Sequence, residues 1–405
     1  MKDRLFEALK KNTADYAEIR FEIEDSTYLG YRGKEFDSVR TGRFSGGNVR
    51  ACKKGGWGMA IFNSPDDLGQ KVEEACRFAA LVGREKTELA SPEAQVDGEK
   101  PAALDRDFRG ITLDEKIKLT EKYNDIVMKE HRAIETSHVF YDEIFRTVYF
   151  ASSEGNYFME ERPLINLSVN ATARKGSLVQ RGSNGRSSAV SYDAVLGFEE
   201  KAEEAARRAV SLLEAPPCDG GTYTVVLDQE LGGVFAHEAF GHLSEADFLY
   251  ENPKVKELMY IGRRMGIKEL NIIDDGAFDR LLGTRAYDDE GTPTRKSYLI
   301  KEGVLVGHLH SRETAGKMGA RPTGNARAIG LDAPPIVRMT NTYIAAGKQD
   351  FDSLIADIDD GIYACGAFGG QTAMEMFTFS ARYGFRIKKG RVGEMLRDIV
   401  LTGNV

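Results

Sequence analysis

Residues 222–248 read TYTVVLDQELGGVFAHEAFGHLSEADF, and this stretch organises the second half of the chain. Its opening, Thr222 to Leu227, is rich in apolar and β-branched residues, which is typical of a strand. Asp228 follows, and aspartate is favoured just before a helix because its carboxylate accepts a backbone N–H of the first turn. From Leu231 to Leu243, apolar residues recur at helical spacing. The pattern therefore predicts a strand that leads directly into a partly buried helix.

The predicted helix carries two histidines and a glutamate, His237, Glu238 and His242. In the familiar zinc peptidase pattern, His-Glu-x-x-His, the histidines are four residues apart and share one helix face. Here they are five apart, and a regular α-helix would hold them roughly 140° apart. A local turn with i→i+5 hydrogen bonds would return them to one face, and Gly241 makes such a distortion sterically cheap. The spacing predicts a bulged helix in which both imidazoles bind zinc and Glu238 is the general base.

Other residues form weaker patterns. Glu245 falls between the two histidines around the helix and is either a ligand or a partner of a ligand. His308-x-His310 would place both rings on one face of a strand, although a solvent-facing strand gives the same alternation. The acidic cluster at residues 288–290 precedes a Gly-Thr-Pro turn and is more typical of structure than of catalysis. For the histidine motif itself, the alternative is a set of ordinary surface or core polar residues.

The composition is that of a globular protein large enough for two domains, with 405 residues. The net charge is −8, so the basic surplus that is typical of nucleic-acid-binding proteins is absent. The charge does not suggest an anionic membrane surface, and no apolar stretch has the length that spans a bilayer. The first residues are too charged for a signal peptide, and four scattered cysteines predict reduced thiols. These features predict a soluble cytoplasmic protein that binds neither nucleic acid nor membrane.

Alternating apolar and polar residues predict strands in the first half of the chain. Ala17, Ile19, Phe21 and Ile23 share one side of a β meander that runs from residue 16 to about residue 64. Further strands are predicted over residues 134–172, and helices over residues 66–82, 112–131 and 198–214. Two of these helices share the pattern Lys-x-Glu-Glu-Ala-x-Arg, at residues 71–77 and 201–207. The pattern indicates two strand-plus-helix units, although the common use of these residues in helices explains it equally well.

Residues 215–221 read APPCDGG and mark the predicted domain boundary. Two prolines and a glycine pair cannot continue the preceding helix. The sequence thus predicts an α+β fold with an N-terminal domain, residues 1–215, of β meanders and long helices. The second half is rich in short strands and turns beyond about residue 271. It is predicted to be a β-rich, barrel- or sandwich-like C-terminal domain, residues 216–405, that carries the zinc-motif helix.

Further segments accompany the motif helix in a fixed order: residues 220–228, 245–248, 288–293, 322–325, 338–342 and 369–371. With the histidine motif, they resemble the TldD branch of the TldD/PmbA metallopeptidases. The resemblance is strong over most of the second half and extends to the first half only in general layout. It implies a two-domain subunit that binds Zn²⁺ through His237 and His242, uses Glu238 as the catalytic residue, and cleaves peptides.

The resemblance also implies a dimer. The partner is either a second copy of the chain or a PmbA-type (TldE) subunit that lacks the histidine motif, in which case this chain is the catalytic partner. Older family labels name these proteins modulators of DNA gyrase. That label supplies the alternative function, a non-enzymatic regulatory or binding protein.

The third zinc ligand of the family is a cysteine in a glycine-rich segment near the C-terminus. No cysteine of this sequence lies in a matching context, so the C-terminal domain is expected to lack the family's last segment. Cys365 is the only cysteine in the body of the second half, and the family pattern places no ligand there. A site with two protein ligands is expected to bind zinc weakly unless Glu245, Cys365 or a partner group completes it.

Overall fold

The computed structural model describes residues 1–91, 95–373 and 376–404. The helices are α1 (Lys2–Leu9), α2 (Leu68–Val82), α3 (Leu113–Glu130), α4 (Glu199–Glu214), α5 (Gln229–Ala236), α6 (Ala246–Glu251), α7 (Pro253–Leu258), α8 (Arg312–Met318) and α9 (Phe351–Ile355). None of the helices in the described ranges combines the length and the apolar character that crossing a lipid bilayer requires.

The strands fall into two groups along the chain. Those of the first half are β1 (Tyr16–Arg32), β2 (Glu35–Lys53), β3 (Gly56–Phe62), β4 (Asp97–Lys100), β5 (Ile134–Ser152), β6 (Tyr157–Lys175) and β7 (Leu178–Ser188). Those of the second half are β8 (Thr224–Leu227), β9 (Ile272–Asp275), β10 (Lys296–Lys301), β11 (Val304–Leu305), β12 (Ala326–Arg327), β13 (Ile336–Val337), β14 (Thr342–Ile344), β15 (Asp360–Ala373), β16 (Met376–Lys388), β17 (Arg391–Leu396) and β18 (Val400–Asn404).

One seven-stranded sheet organises the first half of the chain. The antiparallel strands β1, β2 and β3 form one side and β5, β6 and β7 the other, and the two sides join where β1 pairs with β5. Strand β4 adds in parallel to β6. The predicted alternation is present, since Ala17, Ile19 and Phe21 are buried in a core that they share with α1 and α2. Helices α3 and α4 pack in a second core with β5 and β6.

The two copies of the Lys-x-Glu-Glu-Ala-x-Arg pattern lie in units with the same element order, a helix, three antiparallel strands and a closing helix. In the first unit, a methyl group on Gly58 of β3 would lie 2.2 Å from the carbonyl oxygen of Ala75 in α2. In the second, a methyl group on Gly182 of β7 would lie 2.0 Å from the carbonyl oxygen of Ala205 in α4. Ala75 and Ala205 hold the same position in the two copies. The sequence pattern therefore coincides with the same close strand–helix contact in both units.

Open sheets make up the second half. Strands β17, β16, β15 and β8 form one sheet, in which β18 also pairs with β16, while β11, β10, β9 and β14 form another and β12 pairs with β13. The mixed α and β class that the sequence predicts is confirmed. The described sheets are not closed into a barrel, however, because most of these strands are short and the outer strands of each sheet keep a free edge.

The acidic cluster at residues 288–290 joins the two halves of the molecule. Arg50 of β2 lies 3.1 Å from Glu290, and Arg162 of β6 lies 2.9 Å from Asp289, with all four side chains buried or nearly so. Burial alone would raise the pKa of Asp289, but Arg20 and then Arg162 lower it below its usual range. Because a buried charge that loses its partner is costly, these ion pairs hold the second half against the first sheet. The cluster has a structural role.

Candidate metal centre

A single aspartate sets the start of the motif helix. Asp228 follows β8, and its Oδ1 accepts a hydrogen bond of 2.8 Å from the backbone N–H of Leu231, as the sequence predicts. Its other oxygen accepts a hydrogen bond of 2.8 Å from the backbone N–H of Gly366 in β15. One carboxylate therefore fixes the beginning of α5 against the strand beside which the helix lies.

The predicted bulge is present. After Ala236 the helix continues as a π-helical turn over His237–Gly241, followed by a 3-10 turn over His242–Ser244. The wider turn returns both histidines to one side, where their ring centroids lie 4.6 Å apart with the rings nearly perpendicular. One nitrogen of each ring and a carboxylate oxygen of Glu238 lie within 4.8 Å of one another. In the part of the chain that the structure describes, this is the only such group of three metal-binding side chains.

Gly241 is needed for a reason other than the predicted one. Its φ of −60° and ψ of −57° are ordinary helical values, so the π-helical turn does not use the conformational freedom of glycine. A methyl group at this position would instead lie 2.0 Å from the sulfur of Met339. Met339 belongs to the core that holds Ala239 and Phe240, so the absence of a side chain at Gly241 lets this core close over the bulge.

Glu245 contacts one of the histidines directly. Its Oε2 lies 3.2 Å from Nδ1 of His242, which donates a hydrogen bond to the carboxylate, and it also accepts a 2.8 Å hydrogen bond from Nη1 of Arg338. With Nδ1 engaged, Nε2 of His242 is the nitrogen available to a metal, an arrangement that recurs around zinc-bound histidines. Of the two predicted roles for Glu245, the geometry supports the partner of a ligand.

The two histidines have pKa values that shift in opposite directions. His237 keeps contact with solvent, yet the protein atoms around its ring limit its solvation and lower its pKa, and the neighbouring His242 lowers it further. The hydrogen bond that His242 donates to Glu245 raises the pKa of His242. Neutral imidazole is the form that binds metal. Two imidazoles and an adjacent carboxylate are side chains that suit Zn²⁺, so the residues present fit this ion.

Glu238 lies beside the open edge of a sheet. A methyl group on Gly370 of β15 would lie 3.2 Å from Cγ of Glu238. Strand β8 pairs with β15 only as far as Ala364, and beyond Ala367 the outer edge of β15 has no strand partner among the described residues. Residues 368–371 are exposed there. An extended backbone could therefore approach both this edge and the Glu238 carboxylate.

The remaining predicted candidates lie elsewhere. The ring of His308 hydrogen bonds to the carbonyl of Met259 at 2.9 Å, and Nδ1 of His310 lies 3.3 Å from the hydroxyl of Thr314. Burial lowers the pKa of both histidines, in His310 to about 4. Neither joins the histidine–glutamate group among the residues described. The solvent-facing alternative is wrong for His310, which is only 6% exposed.

Cys365 is also apart from the group of metal-binding side chains. It is buried on β15, and burial, followed by the charge of Asp228, raises its pKa to about 12. Among the described residues, Cys365 does not join the group formed by His237, Glu238 and His242.

Two contacts of the site are not predicted from the sequence. Arg338 bonds to Glu245 across a separation of 93 residues, and Gly370 packs against Glu238 from a different sheet strand. Both lie in segments that the family resemblance singles out, at residues 338–342 and 369–371. That is the only signal in the sequence that could have found them, because contacts between distant segments leave no periodic pattern.

Comparison with protein families identifies three consecutive matches. The models described as PmbA/TldA metallopeptidase domain 1, central domain and C-terminal domain match residues 17–80, 106–213 and 220–405. A metalloprotease of Synechocystis is 42% identical over 395 residues, which cover 98% of this chain and 85% of that protein.

Two more distant similarities extend over the whole chain. A zinc metalloprotease TldD homolog of Saccharolobus solfataricus is 28% identical over 417 residues, 99% of this chain and 89% of that protein. A crystal structure of a Thermotoga maritima protein, described as a proposed modulator of a DNA gyrase, superimposes with a TM-score of 0.83 at 23% identity and covers 100% of this chain and 91% of that one. The structural likeness shows a shared fold.

Proposed function

The chain belongs to the TldD/PmbA metallopeptidase family, and on this basis we propose that it is a zinc-dependent peptidase that hydrolyses peptides or unfolded polypeptides. The observation that carries the proposal is the π-helical turn, which brings His237, Glu238 and His242 within 4.8 Å of one another. The names of its relatives support the same reaction, since they include metalloproteases and one zinc metalloprotease.

The three side chains have different roles in the proposed reaction. His237 and His242 would hold the ion, and a bound zinc supplies a Lewis acid that polarises a carbonyl and lowers the pKa of water. Glu238 takes a proton from the attacking water and delivers it to the leaving amine. Glu245, which Arg338 hydrogen bonds in turn, holds the ring of His242 in one orientation.

The substrate is an extended peptide that adds to the open edge of β15. Main-chain hydrogen bonds at such an edge give affinity with little dependence on side chains, which suits a peptidase with loose sequence preference. Gly369 and Gly370 are exposed where the edge passes Glu238 and present no side chain to an incoming strand.

The partner is a second copy of the chain or a PmbA-type subunit without the histidine motif. Exposed apolar side chains at Phe36, Val39 and Phe44 of β2 support an association, because such groups favour burial against another protein. Light scattering on the purified chain, alone and mixed with a PmbA-type relative, tests this part of the proposal. A strict monomer with full hydrolytic activity would contradict it.

Replacing the base while keeping the proposed ligands tests the enzymatic function. Glu238→Gln should lower the rate of hydrolysis of an unfolded polypeptide by about 100-fold or more, because general base catalysis is lost. The zinc affinity of this variant should stay within about twofold of the wild-type value, because the role of Glu238 is proton transfer. Glu251→Gln, at an exposed glutamate of α6, is the matched control and should match the wild type.

Retained hydrolysis in Glu238→Gln, or loss of its zinc, would show that the assigned role is wrong. A wild-type chain that binds no zinc and hydrolyses nothing would favour the alternative, a non-enzymatic modulator of the kind that the description of the Thermotoga protein names.

A further inference from the structure

Three arginines converge on a small cleft that borders the metal motif. Arg285, Arg327 and Arg338 line a cleft of about 40 Å³, hereafter the arginine cleft. Met339, which packs against Gly241 of the motif, lines the same cleft. The space is enough for about three water molecules or one carboxylate group.

The positive charge of the arginine cleft is poorly balanced. Arg327 is exposed, and its guanidinium has no hydrogen bond or ion pair with any residue that the structure describes. The nearest carboxylate to Arg285 is that of Asp289, with 3.9 Å between Nη1 and Oδ1. That carboxylate already lies 2.9 Å from Arg162 and 3.1 Å from Arg20. Arg285 is therefore a third and more distant partner of a carboxylate that two closer arginines already share.

Asp288 is the acidic residue in the lining, and among the described residues it makes no hydrogen bond or ion pair with the three arginines. Asp288 accepts hydrogen bonds at Oδ1 from the backbone N–H groups of Glu290 and Thr292, and at Oδ2 from that of Ala326. Arg338 alone has a close acidic partner, Glu245, at 2.8 Å. Arg327 thus has no acidic partner among the described residues and Arg285 has only a distant, shared one, so an anion from outside could bind to both.

The arginine cleft borders the metal motif directly. Met339 in its wall packs against Gly241, and Arg338 donates a 2.8 Å hydrogen bond to Glu245, whose carboxylate contacts Nδ1 of His242. Burial, and then the charge of Arg162, lowers the pKa of Arg285 to about 10, as is expected for a guanidinium with too little counter-charge. An anion in the cleft would therefore lie close to a peptide held at His237 and Glu238.

We propose that Arg327, together with Arg285, forms a subsite that binds a carboxylate of the peptide substrate beside the scissile bond. The inference rests on the proposed peptidase function and adds a substrate class to it. Guanidinium groups suit this ligand because their paired N–H donors match the two oxygens of a carboxylate. The carboxylate is either the C-terminus of the peptide or the side chain of an aspartate or glutamate.

Peptide binding to a variant that cannot cleave peptides distinguishes a C-terminal carboxylate from a side-chain carboxylate. The probes are three dye-labelled hexapeptides that are otherwise identical: one with a C-terminal amide, one with a free C-terminal carboxylate, and one amidated but with glutamate in place of a glutamine. Their affinities for zinc-loaded Glu238→Gln are measured by fluorescence anisotropy. At least one carboxylate-bearing peptide should bind about tenfold more tightly than the neutral amide, since a hydrogen bond to a charged group has this effect.

The same measurement on the double variant Glu238→Gln/Arg327→Gln tests whether Arg327 binds the carboxylate. Arg327 is exposed, so its replacement should leave the fold intact, and the preference for the carboxylate peptide should fall to about twofold or less. Arg132→Gln removes the same charge from an exposed turn after α3 and should leave the preference unchanged. A carboxylate that bound only to zinc would keep its preference in the Arg327 variant.

The outcomes distinguish the subsite from the proposed function. A preference for the free C-terminus assigns the cleft to the end of the substrate, and a preference for glutamate assigns it to a side chain. Equal binding of all three peptides, including no binding of any, would overturn the subsite, as would a preference that survives Arg327→Gln. Hydrolysis by the wild-type chain is measured separately. If it is absent while the Arg327-dependent preference is present, the peptidase function fails and the anion subsite stands.

Discussion

Gly241 and Met339 pack so closely that a methyl group on the glycine would lie 2.0 Å from the methionine sulfur. Gly241 ends the π-helical turn that begins at His237, and it directly precedes His242. The segment that holds Met339 is itself fixed, because the next residue, Thr340, donates two hydrogen bonds of 2.7 Å to the buried Asp274 of β9. The contact therefore ties the bulge of the motif helix to a segment that is hydrogen bonded to β9.

Gly241→Ala should destabilise the chain and weaken its zinc binding. The added methyl group must displace Met339 or the helix, and overpacking of this kind costs about 1–3 kcal/mol. Thermal unfolding and a zinc titration measure the two effects. Gly233→Ala is the matched control in the same motif helix, since nothing lies within 4 Å of a methyl group there.

Met339→Ala should partly restore zinc binding to Gly241→Ala, because it removes the sulfur that the new methyl group meets. If the double variant binds zinc no better than Gly241→Ala alone, the contact with Met339 is not what shapes the bulge. A Gly241→Ala chain as stable as the wild type would count against the packing itself.

Glu245→Gln should weaken zinc binding by about 10–100-fold, the usual effect of losing a group that orients a metal-binding histidine. The amide keeps the shape of the side chain but loses the charge that holds Nδ1–H of His242 and the guanidinium of Arg338. Competition with a chelator gives the affinity. Glu257→Gln, at an exposed glutamate of α7, is the comparison. An affinity within twofold of the wild type would remove Glu245 from the site.

His310 should make the chain less stable in mild acid. Its folded-state pKa of about 4 lies below the ordinary value of 6.5 because burial disfavours the charged ring. The unfolded chain therefore binds more protons between these values. The stabilising contribution is complete above pH 6.5 and declines as the pH falls toward 4, by up to about 3 kcal/mol.

Urea unfolding between pH 7 and 4 should accordingly show a shallower loss of stability in His310→Asn than in the wild type. His308 also has a lowered pKa, but it is unchanged in the variant and its effect cancels in the comparison. His131→Asn, at an exposed histidine, should keep the wild-type slope. Identical slopes for His310→Asn and the wild type would show that His310 titrates normally.

Local patterns predict much of the fold and the core of the candidate site. The alternation at Ala17, Ile19 and Phe21 predicts β1, and Asp228 predicts the start of the motif helix, because each pattern arises from neighbours along the chain. The spacing of His237 and His242 predicts the π-helical turn, since only a wider turn brings them together.

Contacts between distant segments could not be predicted in the same way. The pairing of Arg338 with Glu245 depends on how β13 packs beside α6, and no local pattern at either position shows it. The prediction of a barrel for the second half is wrong for a similar reason. Many short strands and turns indicate a β-rich region, but whether its sheets close depends on edges that meet only in the folded chain.

Zinc titration of four chains tests most directly whether the histidine motif is a metal centre: the wild type, His237→Ala, His242→Ala and Glu238→Gln. The wild type and Glu238→Gln should each bind about one zinc per chain, while each histidine variant should bind at least about 100-fold more weakly, because a catalytic zinc relies on few protein ligands. Only the wild type should hydrolyse peptide when zinc is in excess. Equal zinc affinity in all four chains would contradict the assignment of His237 and His242 as ligands.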